Sequence, residues 1–393
     1  DVSCAGENLK TLFLADTNID YLHLGTNNML EAISVADTNI TAPLNLHSNT
    51  RVKSLSYRNC DMHTASFEPQ EHLPFSLIDL DVSNTNIDDL QLSGNNKLEN
   101  LIANSNPVLE DIALPTGSNR NLINVSLYNT DCLNSGSFIG NDQIEMINIQ
   151  HARVTESIYW PSSSTTIIAN DNPLYGPQNS SYGAQGGQRW NFPNSVRLNH
   201  LEIERTRTRA ILFGANKLKH LLASGNYLGF YATASISYDG SVIVPHYVNA
   251  ALSTLNPYGQ LVNPYSFNNT LATLDYLSIL DLSDQLWTPN GANNFLDLKR
   301  NRSIRVVLAK NNPGLKAIHF VCHSLLKQGT GHPQAADQGG AGLTINVSGS
   351  IGFEHFIVND EAHSSSLMWL DANGYITPTK AVGNWNIAVI PDL

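Results

Sequence analysis

Two eleven-residue segments near the start of the chain, LKTLFLADTNI at residues 9–19 and LEAISVADTNI at residues 30–40, decide how the rest of the sequence is interpreted. The second segment begins 21 residues after the first, and both end in ADTNI. The first follows the pattern LxxLxL, and the second has Ile33 and Val35 at the last two leucine positions. The spacing of the last two apolar positions is that of a short half-buried strand, in which alternate side chains face the core. Recurrence at a fixed spacing predicts a repeat architecture.

The same pattern continues along most of the chain. Further copies begin at Val52, Leu77, Leu98, Leu122, Ile144, Ser164, Leu198, Leu218, Leu277 and Ile304. One LxxLxL is a weak signal, but this many copies at near-constant spacing are a strong one. The pattern resembles that of the leucine-rich-repeat family, in the 21-residue form of bacterial secreted and phage-associated proteins with Asn- and Thr-rich turns. The resemblance implies a solenoid that functions in adhesion.

We therefore predict a leucine-rich-repeat solenoid that is mostly β. Parallel strands would stack on the concave face, strand or extended segments would form the convex face, and there would be little helix. The convex segments carry apolar pairs of their own, such as Leu22 with Leu24 and Leu90 with Leu92. The alternative fold is a right-handed parallel β-helix, which also uses coils of this length and polar ladders.

A polar position follows each predicted strand and turns inward. A side chain buried there must hydrogen-bond backbone groups of neighbouring coils, because buried polar groups are costly when unpaired. The residues predicted to form this structural ladder are Thr17, Thr38, Cys60, Thr85, Asn106, Thr130, Asn172, Thr206, Asn226 and Asn312.

Interruptions of the repeat define the domain organisation. We predict an N-terminal cap at 1–8, a solenoid at 9–342 with insertions at about 176–195, 229–273 and 328–342, and a degenerate repeat with a C-terminal cap at 343–393. Insertions in a solenoid map to loops on one face, often the binding face.

The first two insertions contain aromatic residues that are candidates for ligand binding. These are Trp190, Tyr231, Tyr238, Tyr247, Tyr258 and Tyr265. Tyr among Ser, Asn and Gly is typical of adaptable recognition surfaces. The alternative is that these rings pack on the flank of the solenoid or on a neighbouring subunit.

The exposed row of the predicted sheet is the other candidate surface. It is mixed and mildly polar, without a basic stripe or an aromatic track, and consists of Phe13, Ser34, Ser56, Asp81, Ile102, Ser126, Asn148 and Glu202. Such a row is either a solvated face or the place where a protein or glycan lies across the sheet.

Charge and motifs exclude several classes of function. The net charge of −12 argues against nucleic acid, whose backbone requires a basic partner surface. The sequence contains no run of 18 apolar residues, so we expect no insertion into a membrane.

The sequence also has no GxSxG, HExxH, P-loop or GxGxxG motif, so we expect no catalytic site, metal or cofactor. His319, Cys322 and His323 lie close together but lack the paired spacing of a structural zinc site.

The four cysteines lie too far apart in the coil order to pair. Cys60 and Cys132 are three coils apart, roughly 14 Å at the spacing of adjacent strands, whereas a disulfide needs Cα atoms within about 7 Å. We expect Cys4, Cys60, Cys132 and Cys322 to be free thiols, with Cys60 and Cys132 buried.

These observations favour a non-enzymatic recognition protein that is extracellular, on a cell surface or on a virion, and that binds a cell-surface protein or glycan. The alternative is a structural subunit of a virus particle or extracellular filament, such as a phage fibre or decoration protein, whose partners are copies of itself. A polysaccharide-degrading enzyme on a β-helix is the third hypothesis, because a fold does not imply a function.

Overall fold

The protein is described by a computed structural model that divides into two compact units, Asp1–Asn172 and Pro173–Leu393. The residues that the structure describes are 8–25, 27–62, 66–67, 74–115, 121–131, 138–154, 158–172, 189–192, 194–206, 210–213, 217–226, 254–255, 261–262, 274, 276–285, 295–298, 301, 303–304, 306–312, 315, 317–321, 327–328, 343–350, 355–359, 365–370, 376–378, 384–385 and 387–390.

The N-terminal unit is built from short strands at regular intervals. They are β1 (Thr11–Phe13), β2 (Ala32–Ser34), β3 (Ser54–Ser56), β4 (Ser66–Phe67), β5 (Asp79–Asp81), β6 (Asp89–Gln91), β7 (Asn100–Ile102), β8 (Asp111–Ala113), β9 (Asn124–Ser126), β10 (Met146–Asn148) and β11 (Thr166–Ile168). Two parallel sheets result. The first has the order β1-β2-β3-β5-β7-β9-β10-β11, and the second has the order β4-β6-β8.

Each strand of the first sheet lies beside the corresponding strand of the next coil, in register. Leu12 pairs with Ile33, and Ile33 pairs with Leu55. These central side chains point inward and are buried, because alternate residues of a strand face opposite sides of the sheet. The apolar pairs of the second sheet, such as Leu90 and Leu92, are also fully buried. The core of the unit therefore lies between the two sheets, as a solenoid requires.

The C-terminal unit contains the remaining strands. They are β12 (Arg189–Phe192), β13 (His200–Glu202), β14 (Ala210–Phe213), β15 (His220–Leu222), β16 (Thr254–Leu255), β17 (Leu261–Val262), β18 (Ile279–Asp281), β19 (Phe295–Asp297), β20 (Val306–Leu308), β21 (Ala317–Val321), β22 (Lys327–Gln328), β23 (Leu343–Asn346), β24 (His355–Asn359), β25 (Ser365–Leu370), β26 (Ile376–Pro378), β27 (Asn384–Trp385) and β28 (Ile387–Ile390).

Parallel pairing again dominates this unit. Strands β13-β15-β18-β20-β23-β28 form one parallel series. A second series has the order β19-β21-β24-β25-β26, in which β25 pairs antiparallel with both of its neighbours. Strands β16 and β17, inside the second predicted insertion, form an antiparallel pair, as do β22 and β27.

A left-handed turn follows each strand of the first sheet and each of β13, β15, β18, β20 and β23 in the C-terminal unit. The residues with positive φ at this place are Asp16, Asp37, Asn59, Asn84, Ser105, Asn129, His151, Asp171, Arg205, Gly225, Asp284, Asn311 and Gly349. Most of them are Asn, Asp or Gly, which adopt this conformation at the lowest steric cost. The turn directs the chain from the strand into the interior, where the polar ladder begins.

The predicted mostly-β solenoid is confirmed within each unit: parallel strands stack along one side, and strand or extended segments lie along the other. Among the described residues, none is helical. The predicted insertion at 176–195 requires a correction, because it includes β12. This strand pairs in parallel with β14, with Trp190 opposite Ile211 and Phe192 opposite Phe213, and so belongs to the coils themselves.

Candidate functional site

The ladder residues follow the strands of the first sheet and of the parallel series β13-β15-β18-β20-β23-β28, and most of their contacts join them to the backbone. The threonines close the turn of their own coil: the hydroxyls of Thr38 and Thr85 donate to carbonyl oxygens three residues earlier, both at 2.7 Å. Thr17, Thr130 and Thr206 make the same contact at 2.6 to 3.1 Å. Thr17 is half-buried, and the other ladder residues are buried.

Asparagine at the ladder position reaches the neighbouring coil as well. The Asn106 amide donates to the carbonyl oxygens of Ala103 at 3.0 Å and of Val82, one coil earlier, at 2.8 Å. Its Oδ1 accepts the backbone N–H groups of Thr85 and Asn86. Asn172, Asn226 and Asn312 bridge coils in the same way. These side chains satisfy buried backbone groups that the turn leaves without a sheet partner.

Two further ladder residues were missed by sequence reasoning. The amide nitrogen of Gln285 donates to the carbonyl oxygen of Ala223 at 2.8 Å, and the Ser350 hydroxyl donates to that of Ala309 at 2.8 Å. Both lie five residues after the central apolar residue of their strand, as Asn106 does. Their position within the coil would have identified them as ladder residues. They were missed because the prediction considered mainly Thr and Asn at this position.

A second polar ladder was also missed. It lies three residues before the first apolar position of a coil and consists of Asn27, Asn49, Asn95, Asn141 and Asn301. The amide of Asn49 donates to the carbonyl oxygen of Asn27 at 2.9 Å, and the carbonyl oxygen of Asn49 accepts the N–H of Val52. The signal was the recurrent NxxL, NxxV or NxxI that precedes LxxLxL. Both ladders are structural, because their contacts join backbone groups of adjacent coils.

The exposed face of the first sheet in the N-terminal unit contains a depression of about 500 Å³. It extends over five adjacent strands, β3, β5, β7, β9 and β10. Two columns of side chains line it: Ser54, Asp79, Asn100, Asn124 and Met146 from the first residues of these strands, and Ser56, Asp81, Ile102, Ser126 and Asn148 from the last. The second column is part of the row predicted as the exposed face.

The first column is connected by side-chain hydrogen bonds. The amide of Asn124 donates to Oδ1 of Asn100, whose own amide donates to Oδ1 of Asp79, both at 2.6 Å. In the second column, Oδ1 of Asp81 accepts the backbone N–H of Ser83 at 3.0 Å. The carboxylates and carboxamides are therefore held in fixed orientations along the sheet.

Apolar surface lies among these polar groups. Ile102 is 39% exposed and Met146 is 43% exposed, both on the face of the depression. The arrangement offers hydroxyl and amide donors, carboxylate and amide acceptors, and two apolar contacts within one shallow surface. This chemistry suits a polar, uncharged ligand, and the two carboxylates disfavour an anionic one.

Trp190, one of the predicted ligand-binding aromatics, is fully buried. Its indole N–H donates to the Thr206 hydroxyl at 3.2 Å, and its ring is 6.3 Å from that of Phe192. A residue enclosed in this way cannot contact a ligand at the surface, so the expectation for Trp190 is corrected. The other predicted aromatics, Tyr231, Tyr238, Tyr247, Tyr258 and Tyr265, lie outside the described residues.

Cys60 is a buried free thiol. Its sulfur lies 3.1 Å from the carbonyl oxygen of Val35 and 3.5 Å from the Thr38 hydroxyl. Burial raises the pKa of the Cys60 thiol above its ordinary value, and the Thr38 contacts only partly offset this. Cys4, Cys132 and Cys322 lie outside the described residues, as does His323.

The described part of the chain contains no helix with the length and hydropathy needed to cross a membrane. Within the same residues, no group of three or more His, Cys, Asp or Glu side chains is arranged to hold a metal ion.

Comparison with known proteins gives a solved structure of low similarity. No family model matches the sequence, and no curated protein matches it. Among solved structures, the functional domain of InlJ from Listeria monocytogenes, which includes a cysteine ladder, is 14% identical with a TM-score of 0.41. The match covers 94% of this chain and 85% of that chain. Similarity at this level establishes no shared function.

Proposed function

We propose that this chain is a non-enzymatic recognition protein that binds a glycan or protein on a cell surface through the exposed first-sheet face of Asp1–Asn172. We further propose that it is displayed outside the cell or on a virion, and that its coils are of the 21-residue type found in bacterial secreted and phage-associated proteins.

The observation that carries the proposal is the 500 Å³ depression over five strands. Its side chains stand on strands whose central residues are buried, so the surface is rigid and loses little conformational entropy when a ligand binds. Side chains fixed on regular strands position hydrogen-bonding groups more precisely than side chains on loops.

The composition of the depression supports a neutral polar ligand. Asp79 and Asp81 can accept hydrogen bonds from hydroxyl or amide groups, while the Ser and Asn side chains can donate or accept. Ile102 adds an apolar contact of the kind that a sugar ring or a peptide side chain can cover. A ligand of this chemistry would bind with weak dependence on ionic strength, since few charges are involved.

A matched pair of substitutions tests the surface. Ile102→Arg places a large charged side chain in the depression. Val108→Arg makes the same change at a residue that is 48% exposed and lies in the turn before β8. The purified chain and both variants would be tested on immobilised neutral oligosaccharides and on candidate host cells, after circular dichroism shows that all three fold.

We expect the wild-type chain and Val108→Arg to bind alike, and Ile102→Arg to bind at least about tenfold more weakly, equivalent to 1.4 kcal/mol. Equal binding by the two variants would reject this face as the site. If the wild-type chain binds none of the probes and instead forms a fixed homo-oligomer, the recognition proposal is rejected in favour of a structural subunit.

A further inference from the structure

Two histidines face each other on adjacent strands of the C-terminal unit. His200 on β13 and His220 on β15 are paired in parallel register. Their Nδ1 atoms are 3.2 Å apart, and their rings are nearly perpendicular with centroids 5.4 Å apart. Both side chains are half-buried on the sheet face. Two imidazole nitrogens so close must share a proton or a cation between them, because two lone pairs facing each other would repel.

Glu202 determines which nitrogen of His200 carries the proton. It lies two residues along the same strand, on the same face, and its Oε1 is 2.7 Å from Nε2 of His200. The carboxylate accepts the Nε2–H, which leaves Nδ1 of His200 with a lone pair directed at His220. A carboxylate bound to one imidazole nitrogen, with the other nitrogen available, is the arrangement that orients metal-binding histidines in proteins.

We propose that His200 and His220 form a two-imidazole site for a divalent transition-metal ion, oriented by Glu202. The separation of the two nitrogens fits this role. Two nitrogens each about 2.0–2.1 Å from one ion and 3.2 Å from each other subtend an angle of about 100° at the ion, close to tetrahedral or square geometry. Of the first-row divalent ions, copper(II) binds such nitrogen ligands most tightly.

The surroundings are consistent with this assignment. His200 is 25% exposed, so an ion can enter from solvent and keep water at its remaining positions. The site belongs to the C-terminal unit and the surface of the proposed function to the N-terminal unit, and this proposal does not depend on that function.

Titration of the metal-free chain with Cu²⁺ alone tests the site. Isothermal titration would give the affinity, and electron paramagnetic resonance would count the nitrogens bound to copper. The chain has 13 histidines, so variants must separate this pair from the others. The variants are His200→Gln, His220→Gln and Glu202→Gln. The matched control is His151→Gln, at an exposed histidine that faces Asp171 at 3.4 Å.

We expect the wild-type chain and His151→Gln to bind one Cu²⁺ through two nitrogens with the same affinity. Either histidine variant should lose this binding or weaken it at least about tenfold, and Glu202→Gln should weaken it about 10-fold to 100-fold. Unchanged copper affinity and nitrogen count in His200→Gln and His220→Gln would overturn the proposal. So would a wild-type chain without a two-nitrogen copper signal, which would show that the pair is a structural hydrogen bond alone.

Discussion

Asn106 and Thr85 lie in successive coils, and Oδ1 of Asn106 accepts both the backbone N–H and the hydroxyl of Thr85, at 2.9 and 3.2 Å. Asn226 and Thr206 have the same relationship, with both distances 3.0 Å. An asparagine after a threonine therefore completes the turn of the coil before it. The ladder therefore contains two kinds of residue: threonines that close their own turn, and asparagines that also bridge two coils.

Replacement of Asn106 by alanine is predicted to destabilise the fold strongly. The side chain is fully buried, and its removal leaves the backbone N–H groups of Thr85 and Asn86 without their acceptor. We expect Asn106→Ala to lower the free energy of unfolding by about 3–5 kcal/mol, because each buried unsatisfied group costs about 1–3 kcal/mol. Urea denaturation followed by circular dichroism measures this.

The control for this prediction is Asn45→Ala. Asn45 is exposed, and its side chain accepts a hydrogen bond from the backbone N–H of His47. We expect its replacement to change the stability by less than about 0.5 kcal/mol. Similar losses in the two variants would show that the ladder contacts contribute no more than an ordinary surface asparagine.

Ser105 is predicted to be a position where stability can be gained. Its φ of 56° lies in the left-handed region, where the equivalent residues of the coils before and after are Asn84 and Asn129. Asn adopts this conformation more readily than Ser, and a β-branched residue does so least readily. We expect Ser105→Asn to raise the free energy of unfolding by about 0.5–1 kcal/mol and Ser105→Val to lower it by about 1–2 kcal/mol.

Both Ser105 variants would be compared by thermal and urea denaturation. Opposite changes in the free energy of unfolding at one site would distinguish an effect of backbone conformation from a general effect of substitution. If both variants lower the stability, the turn conformation does not decide the choice of residue here.

The fold could be predicted from the sequence because the regular spacing of apolar residues indicates directly which side chains are buried. Leu12, Ile33 and Leu55 could be aligned without a structure, and they pair in register. The prediction that Trp190 binds a ligand was wrong because it was based on the aromatic composition of the neighbouring segment. It did not take into account that Trp190 lies one coil length before Ile211. Counting the period through the interruption would have placed Trp190 in the interior.

The surfaces were less predictable than the core. The exposed column with Ser56, Asp81 and Ile102 follows from strand alternation, but a depression over it depends on how adjacent side chains pack. The pairing of His200 with His220 follows from the repeat, since they occupy the same position in successive coils. The distance between their Nδ1 atoms depends on rotamers, which a sequence pattern does not specify.

Cys60 is predicted to be unreactive in the folded protein. The thiolate is the reactive form, and burial raises the pKa of this thiol while also excluding a reagent. We expect iodoacetamide at about pH 8 to leave Cys60 unmodified in the native chain and to modify it fully in concentrated guanidinium chloride. Mass spectrometry of the peptide that contains Cys60 measures both. Modification of the native protein at the denatured rate would contradict the buried position.

Tyr57 provides a prediction that depends on pH. It is fully buried, and its hydroxyl oxygen accepts the backbone N–H of Leu44 at 3.0 Å. Replacement by phenylalanine leaves that N–H without its acceptor. We expect Tyr57→Phe to lower the free energy of unfolding by about 1–3 kcal/mol at neutral pH. The control is Tyr21→Phe, at a residue that is 76% exposed, where the change should be less than about 0.5 kcal/mol.

Burial also raises the pKa of Tyr57 well above its usual range, and the nearby Cys60 adds to this. In the unfolded chain, the phenol ionises near its ordinary pKa of about 10, while in the folded chain it stays protonated. The stabilising contribution of Tyr57 is therefore fully present below about pH 10 and is lost as the pH rises above that value. The stability difference between the wild-type chain and Tyr57→Phe should shrink between about pH 9 and pH 11. A difference that stays constant over this range would show that Tyr57 ionises equally in the folded and unfolded chains, contrary to its buried position.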